Sequence, residues 1–516
     1  MMFRHVPVSI SRRGFLALAG AFAAAPGWAA EKLGVPSLKL GVISDIHIYG
    51  TRTFPYKARP NRHTQGETVM FEKVLRFFDA AKVDGVLIAG DLTENGVDTQ
   101  LQLVADVWNR VFPGNKGSDG RPVEKLFIYG NHDAQQGLIF NKPLLAQFRK
   151  RLGSDEAFEA YRRDHGLLPR EKEAWERLFG EAWSPVIHKT LKGHHFFLAN
   201  WGHEHEANAL FARELPKIGT ETPFFYVQHA PVRGTCWGAA QAIDPASAAL
   251  KATLGRYPNA IAVTGHNHFP LTDERNVWQE EFTVMGASTL AYASAPQGRE
   301  NSGPKQGRGG AEKQMPILWQ TSECKQGMVL SMYRDRMLLE RRDFWNDCPV
   351  GDDWIVPLPA RPGGEMSYAT RAPKMAAPVF EKGAEVTMSA AKGRERESGR
   401  TVRQIVASFP GALERRHGKV FDYVVSVEAE KGAAPVPVKR VVSTLFHLPA
   451  EVAASRRVPQ HCAFALHELP EKTRFRFTVR AADSFGNQSA PINSKWMTMA
   501  DFSATFSQQK QSGLST

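Results

Sequence analysis

The chain has 516 residues, 42% hydrophobic and 23% charged, so it is not a disordered or collagen-like polymer and has room for about two or three domains. Its 65 Lys and Arg residues outnumber its 53 Asp and Glu residues. The net charge of +12 suits anionic ligands, but no run of like charges forms a nucleic-acid-binding tail. Beyond the N-terminus, no apolar run reaches the roughly 18 residues that a membrane-spanning helix needs. We therefore expect no nucleic-acid partner and no transmembrane anchor.

The N-terminal segment has the composition of an export signal. Residues 9–30 combine a paired basic head, a short apolar stretch and small residues. The run Ser11-Arg12-Arg13-Gly14-Phe15-Leu16 resembles a bacterial twin-arginine signal, with a cleavage context at Gly27-Trp28-Ala29. Removal of residues 1–29 takes away three arginines and lowers the net charge from +12 to +9. The resemblance implies the twin-arginine export machinery as a partner and a periplasmic or secreted bacterial protein.

The cysteines favour no redox or zinc chemistry. Four are too few for a disulfide scaffold, and none lies in a CxxC motif, so we expect buried thiols. Cys324 and Cys348 are the pair nearest in sequence, and an oxidising destination would permit a bridge between them. The other two are Cys236 and Cys462.

Five short apolar runs in the first half of the chain predict the buried strands of a layered α/β sheet. They are rich in Val, Ile, Phe and Tyr and are bounded by Gly, Asp or Asn. Helical periodicity lies between them, at Thr68–Ala81, Thr99–Val111 and Glu171–Phe179. The strand runs are Leu38–Ser44, Val83–Ala89, Lys125–Tyr129, Pro223–Val227 and Ala260–Thr264.

The second half predicts a change of fold class. Residues 295–314 read as an exposed basic loop, and Phe421–Val427 and Arg474–Arg480 alternate with the period of two that is typical of antiparallel strands. The run Leu469–Asn487 resembles the later strands of a fibronectin type III module, which implies a small all-β sandwich. The expected divisions are a signal peptide at 1–29, an α/β domain at 36–356, a linker at 357–378, a β-sandwich at 379–500 and a flexible tail at 501–516.

A polar cluster of Asp, Asn and His follows each of the five predicted strands. Because ligands of open α/β sheets bind at the carboxyl ends of strands, the clusters should converge on one crevice. Carboxylate, amide and imidazole ligands together suit iron, manganese or zinc, and a carboxylate shared between two ions accounts for the number of candidates. The clusters are Asp45-Ile46-His47, Gly90-Asp91, Gly130-Asn131-His132-Asp133, Gln228-His229-Ala230-Pro231 and Gly265-His266-Asn267-His268.

The order of these clusters resembles that of the calcineurin-like metallophosphoesterases, over roughly residues 38–268. The resemblance implies a four-layer sandwich of two mixed sheets flanked by helices, and a site for two ions of manganese, iron or zinc. It implies that Asp91 bridges the ions, that His132 contacts the phosphate and protonates the leaving oxygen, and that Asp133 orients His132. The implied ligands are Asp45, His47 and His268 for one ion and Asn131, His229 and His266 for the other.

The same resemblance implies hydrolysis of a phosphate ester by a metal-bridging hydroxide, and leaves monoesters and diesters both open. Purple acid phosphatases, a branch of this family, carry a tyrosine ligand three residues after the bridging aspartate, where this chain has Glu94. That difference argues against a tyrosinate-bound ferric ion and favours Glu94 as a hydrogen-bond acceptor behind a ligand. Trp201 and the histidines around it, at positions 194, 195, 203 and 205, are expected to lie outside the ligand set.

An alternative from a different class is a cell-surface binding protein. In that reading the β-sandwich binds a partner and the hydrolase domain is a relic. A relic is expected to have lost ligands, whereas every ligand position here is filled, which favours the enzyme.

Overall fold

The computed structural model describes residues 34–49, 64–134, 150–157, 160, 171–236, 247–296, 298–302, 320–321, 323–395, 398–430, 438–456 and 458–502. The expected signal peptide and most of the expected tail lie outside these ranges. None of the helices in the described ranges is long and apolar enough to cross a membrane. All four cysteines are free, so the bridge between Cys324 and Cys348 that an oxidising destination would permit is not formed, and three of the four are buried while Cys348 is half-buried.

Helices and strands alternate in the first half of the chain, and strands dominate the second half. The helices are α1 Thr64–Ala80, α2 Asp98–Val111, α3 Asn131–Ala134, α4 Glu171–Phe179, α5 Glu204–Ile218, α6 Ser247–Leu254, α7 Tyr368–Arg371 and α8 Ala450–Ala454. The strands up to the second half are β1 Leu38–Ile43, β2 Gly85–Ile88, β3 Glu124–Phe127, β4 Val186–Leu191, β5 His194–Ala199, β6 Phe224–Val227, β7 Ala260–Thr264, β8 Val277–Gln279, β9 Thr283–Gly286, β10 Ala293–Ser294 and β11 Gln320–Thr321. The later strands are β12 Gln326–Met332, β13 Arg336–Asp343, β14 Cys348–Pro349, β15 Trp354–Pro357, β16 Thr387–Arg394, β17 Thr401–Phe409, β18 Asp422–Ala429, β19 Lys439–Val442, β20 Gln460–Ala465, β21 Phe475–Ala482 and β22 Ile492–Asn493.

Two mixed sheets form the first domain. In one, the strand order is β14-β13-β12-β1-β2-β3, and β15 pairs with β13. In the other, the order is β4-β5-β6-β7-β9-β8. Strands β1, β2 and β3 run parallel to one another, as do β5, β6, β7 and β9, so each sheet brings several carboxyl ends to one edge. The five predicted strands are β1, β2, β3, β6 and β7.

Side chains alternate between two apolar layers along each central strand. Leu40 and Val42 of β1 point toward the other sheet and share a core with Phe225 and Val263. Ile43 points to the opposite face, where it packs in the core formed with α1 and α2. A third core lies between the second sheet and α5 and α6. Burial of each such side chain contributes about 1.5–3 kcal/mol, and the resulting helix, sheet, sheet, helix stack confirms the expected four-layer fold.

The second half of the chain forms two antiparallel sheets that face each other across their own core. One sheet has the order β16-β17-β20 and the other β19-β18-β21-β22. Residues Ile405, Phe464 and Phe477 lie in the core between them and are fully buried. This arrangement confirms the small all-β sandwich.

Two stretches that read as solvated chain are packed. Within the expected linker, the Arg371 side chain of α7 donates to the carbonyl of Val277, and the ring of Tyr368 meets that of Phe485. Within the expected basic loop at 295–314, Asn301 and Ser302 are buried. The expectation of an exposed loop is therefore wrong for these residues, because the Asn301 side chain bonds the Val442 backbone of the β-sandwich and the Ser302 hydroxyl donates to the carbonyl of Pro296.

Candidate metal centre

The predicted site residues converge at the edge where parallel strands of both sheets end. Backbone hydrogen bonds tie the loops to one another, from Asp45 N to Gly90 O at 3.0 Å and from Gly265 N to His229 O at 2.9 Å. Gly265 faces the first loop so closely that a Cβ there would collide with the Ser44 hydroxyl. The candidates follow β1 (Asp45, His47), β2 (Asp91), β3 (Asn131, His132, Asp133), β6 (His229) and β7 (His266, His268).

Five of the seven candidate ligands have a left-handed backbone. A positive φ is uncommon outside glycine and costs roughly 1–3 kcal/mol at each residue, and such residues cluster at functional sites. Here the strain turns consecutive polar side chains inward from tight loops. The residues and their φ values are Asp45 (51°), His47 (52°), Asp91 (50°), His266 (70°) and His268 (53°).

One group of candidate ligands surrounds Asp45, which is fully buried. Nε2 of His268 lies 2.8 Å from Oδ1 of Asp45, and Nε2 of His47 lies 3.7 Å from the same oxygen. Nε2 of His47 is also 3.5 Å from Oδ2 of Asp91. Donor atoms of these four residues all lie within 4.8 Å of one another, the spacing of a set that could hold one ion.

A second group lies on the other side of Asp91. Nε2 of His229 is 3.2 Å from Oδ2 of Asp91 and 3.1 Å from Oδ1 of Asn131. Nδ1 of His266 is 2.9 Å from the same Asn131 oxygen. Donor atoms of Asp91, His229 and His266 again lie within 4.8 Å of one another. Asp91 therefore belongs to both groups, as a bridging carboxylate must.

The hydrogen bonds of the histidines fit a cation between these groups. In three of the rings Nδ1 faces an oxygen that only accepts, so Nδ1 carries a hydrogen and Nε2, which faces the carboxylates, is the atom that can exchange a proton for a metal ion. The three pairs are His47 with Oε2 of Glu94 at 2.9 Å, His229 with the carbonyl of Ala89 at 2.6 Å, and His268 with the carbonyl of Tyr292 at 2.9 Å.

Some buried polar atoms of the site lack ordinary hydrogen bonds. Nε2 of His47 and Nε2 of His268 lie 3.1 Å apart, although both rings already donate through Nδ1. Oδ1 of Asp45 accepts no hydrogen bond of acceptable angle, despite its 2.8 Å distance from His268. Buried lone pairs that face one another are costly unless a proton or a metal ion lies between them. The donor set fits a transition metal.

Comparison with known proteins agrees with this geometry. Residues 38–270 match the profile of the family described as calcineurin-like phosphoesterase. The chain contains a calcineurin-like phosphoesterase domain. Because this domain contains groups of Asp and His side chains that could hold metal ions, the protein is a metal-dependent phosphoesterase. The comparison with curated proteins finds no match to the chain.

Solved structures similar to the phosphoesterase domain have little sequence in common with it. A dimetal phosphatase from Danio rerio is 13% identical, with a TM-score of 0.34, and the match covers 62% of this chain and 99% of that one. GAP50, the anchor in the inner membrane complex of Plasmodium, is 12% identical, with a TM-score of 0.32, over 62% of this chain and 88% of that one. At such low TM-scores the assignment rests on the family match and on the site geometry.

His132 lies beside the ligand groups of the phosphoesterase domain, on the short helix α3. Its ring is 4.6 Å from that of His47, and its backbone N donates to Oδ1 of Asp91 at 2.8 Å. Its Nδ1 lies 2.8 Å from the carbonyl oxygen of Glu94, so Nδ1 is the donor in that bond and proton exchange with a ligand would go through Nε2.

Asp133 does not make the contact expected of it. Its carboxylate accepts from the backbone N of Leu92, Thr93 and Gly130 at 2.8–2.9 Å and from the Thr93 hydroxyl at 2.7 Å. The Nδ1 atom of His132 is instead held by a backbone carbonyl. Consecutive residues of a helix point about 100° apart, so the side chains at positions 132 and 133 leave α3 in different directions. Asp133 thus organises the loop that follows Asp91.

Glu94 is placed as the difference from the purple acid phosphatases suggested. Its Oε2 accepts from Nδ1 of His47, and its side chain is 17% exposed. Replacing Glu94 with Ala should weaken metal binding by about 10- to 100-fold, because the outer partner of a ligand histidine fixes the ring and raises its basicity. Glu94→Gln keeps an acceptor without the charge and should lose less. Titration of both variants with Mn²⁺ tests this, and equal affinity in Glu94→Ala and the unmodified protein would refute it.

The charges of the site depend on one another. Burial opposes the charged form, but His268 and His229 hold the pKa of Asp45 well below its ordinary value. Burial also disfavours a charged His229, but Asp91 and Asp45 outweigh it and raise the pKa of His229 to about 9. Burial together with His229 lowers the pKa of His266 to about 4. Without metal, the site therefore holds protons where ions would bind.

These shifts predict that pH has opposite effects on the metal-free and metal-loaded protein. The folded pKa of His229 lies above the ordinary 6.5, so its ion pairs stabilise the metal-free fold fully below pH 6.5 and lose that effect as pH rises through about 9. A metal must displace the proton, so metal affinity should rise over the same range. Thermal unfolding with a chelator or with excess Mn²⁺ should show a widening gap from pH 6.5 to 9. A gap that narrows would contradict the assignment.

Two aromatic rings lie against candidate ligands, and the sequence did not predict either contact. Tyr292 is half-buried and stacks on His268, with ring centroids 4.2 Å apart. Trp201, which was expected only to pack, lies 5.5 Å from the ring of His266 and 5.8 Å from that of His229. The other histidines near Trp201 lie outside the ligand groups, as expected. His194 contacts Ser37, His195 contacts His188, and His203 contacts Glu206.

Proposed function

We propose that this protein is an exported dinuclear-metal phosphohydrolase that cleaves phosphate monoesters or diesters. The observation that carries the proposal is the position of Asp91, whose carboxylate lies in both ligand groups. A single shared carboxylate between two complete sets is what a pair of adjacent ions requires. When bound, manganese, iron or zinc ions would activate the attacking water and neutralise charge on the phosphoryl oxygens.

The protein's own side chains divide the remaining work. Asp45, His47 and His268 would hold one ion, and Asn131, His229 and His266 the other. His132 is the candidate general acid, because its Nδ1 is tied to a backbone carbonyl and a proton on Nε2 could pass to the leaving oxygen. Asp133 supports this geometry indirectly, by holding the backbone of Leu92, Thr93 and Gly130.

Export is the part of the proposal that rests on the N-terminal sequence. The Arg12-Arg13 pair, the short apolar stretch and the small residues before position 30 support a twin-arginine signal and a periplasmic or secreted protein. In a bacterial host, Arg12→Lys combined with Arg13→Lys should retain the protein in the cytoplasmic fraction. Unchanged export of that variant would refute the proposal.

For the second half of the chain we propose a fibronectin type III-like module at residues 379–500. The resemblance of Leu469–Asn487 to the later strands of such modules supports it, and the two facing sheets have the architecture that the modules share. In this division, residues 36–356 are the catalytic domain and 357–378 connect the two.

Hydrolysis of aryl phosphates tests the proposed activity. The metal-stripped protein is assayed with an aryl phosphate monoester and with a diester, each with Mn²⁺, Zn²⁺ or iron added back. Restored turnover of either ester supports the proposal, and the preferred ester identifies the substrate class. Absence of turnover with all three metals would favour the alternative, a cell-surface protein whose sandwich binds a partner.

A further inference from the structure

A segment of the phosphoesterase domain connects a candidate ligand to the β-sandwich. We call residues 289–302 the Tyr292 segment; all but position 297 are among the described residues. At its start, the carbonyl of Tyr292 accepts from Nδ1 of His268 at 2.9 Å, and the ring of Tyr292 stacks on the His268 ring. Two residues later, Ser294 N donates to His268 O at 3.1 Å. Both the ring and the backbone of His268 are thus held by this one segment.

The other end of the Tyr292 segment is bound to the sandwich. Nε and Nη2 of Arg299 donate to Oδ2 of Asp422 at 3.0 and 2.6 Å. The side chain of Asn301 exchanges two hydrogen bonds with the backbone of Val442, at 2.8 and 2.9 Å. Asp422 and Val442 are themselves directly paired across β18 and β19. All these bonds therefore meet at one point on the sandwich edge.

Between its two ends, the Tyr292 segment also makes apolar contacts with the sandwich. Ala293 and Ala295 share a buried cluster with Phe421 and Phe446 of the sandwich. The Arg299 and Asp422 side chains are only 11% and 4% exposed, so loss of Arg299 would leave the buried Asp422 carboxylate with the more distant Nη1 of Arg440, 3.8 Å away. Arg299 lies seven residues after Tyr292. If the bond between Arg299 and Asp422 is lost, the part of the segment that holds His268 should therefore become more mobile.

We propose that Arg299 is a positioning residue for the metal site. It fastens the Tyr292 segment to the β-sandwich and thereby sets the orientation of His268, so that the sandwich is a working part of the phosphoesterase rather than an independent module. This inference rests on the proposed metal-binding role of His268. The C-terminal sandwich would then contribute to catalysis through Asp422, Arg299 and the Tyr292 carbonyl that holds His268.

Mn²⁺ titration and hydrogen exchange of the full chain test the proposal. Arg299→Ala should weaken Mn²⁺ binding by at most about 10- to 100-fold, the range for complete loss of an outer partner, because the Tyr292 carbonyl is loosened and not removed. Amide exchange in residues 289–296 should become faster. Arg299→Lys keeps the charge but loses the planar fork, and should restore part of both properties. If Arg299→Ala does not fold, Asp422→Asn replaces it in the test. This variant keeps the shape of the Asp422 side chain but removes its charge, and we expect the same direction of change in Mn²⁺ binding and amide exchange.

Arg416→Ala is the control for a second, exposed ion pair that joins the sandwich to the rest of the chain. Nε of Arg416 lies 2.6 Å from Asp352, so this pair also joins the sandwich to the rest of the chain, but at the loop after β14. Its loss should leave Mn²⁺ binding and exchange in 289–296 unchanged. Unchanged Mn²⁺ affinity in a folded Arg299 or Asp422 variant, or an equal loss in Arg416→Ala, would overturn the proposal. If the unmodified protein binds Mn²⁺ but hydrolyses no ester, the proposed function fails while this comparison still decides the role of Arg299.

Discussion

Asp91→Asn should abolish the dinuclear character of the site and lower kcat by more than about 100-fold, the upper end of what loss of an outer partner costs. Asp91 is 1% exposed, and its Oδ2 lies 3.2 Å from Nε2 of His229 and 3.5 Å from Nε2 of His47. Asparagine preserves the acceptor for His132 N at 2.8 Å but removes the negative charge that both groups share. The number of ions bound per chain, measured by elemental analysis after dialysis, should fall with the activity.

Asp84→Asn is the control for this substitution. Asp84 precedes β2, at the opposite end of the strand from Asp91, where its carboxylate accepts from Lys39 N at 2.8 Å and pairs with Lys192. It should keep the bound ions and kcat of the unmodified protein. An Asp91→Asn variant that still binds two ions and turns over at a similar rate would show that the carboxylate is not shared.

His132→Ala should lower kcat by roughly 10²- to 10⁴-fold for esters with poor leaving groups, the range for loss of a general acid. For esters whose leaving group needs no proton the loss should be much smaller. The number of bound ions should not change, because His132 is outside both proposed ligand sets. Measuring kcat over a series of aryl phosphates with graded leaving-group pKa values tests this, and the dependence should steepen in the variant.

His205→Ala is a suitable comparison, because His205 lies on α5 and its side chain is 69% exposed. It should behave as the unmodified protein over the whole series. If His132→Ala lowers kcat by the same factor for every leaving group, His132 binds the phosphate and does not protonate the product.

The sequence predicts the candidate metal ligands better than it predicts the residues that hold those ligands in place. Each candidate ligand lies within a few residues of the end of a strand that its own composition predicts. Parallel pairing of β1 and β2 brings Asp45 and Asp91 to one edge of the first sheet, whereas His229 follows β6 of the second sheet and reaches them through the packing of the two sheets. The resemblance also identifies Glu94 as a hydrogen-bond acceptor, because it lies three residues after Asp91, where purple acid phosphatases carry a tyrosine ligand.

The residues that hold the ligands in place are harder to predict, because their positions depend on contacts between distant parts of the chain. Tyr292 has no strand-end cluster around it, and only the folded chain brings its carbonyl and its ring against His268. The family resemblance implies that Asp133 orients His132, but the Asp133 carboxylate instead accepts from the backbone N atoms of Leu92, Thr93 and Gly130. Arg299 reads as part of a basic loop until Asp422, more than one hundred residues later, is placed next to it.

Metal titration of the stripped protein, followed by both bound metal and ester hydrolysis, tests the central claim most directly. If Asp91 joins two ligand groups, activity should rise with added Mn²⁺ and reach its plateau at two ions per chain, and Asp91→Asn should bind fewer and remain inactive. A plateau at one ion, or hydrolysis that is independent of metal, would contradict a dinuclear phosphoesterase centred on Asp91.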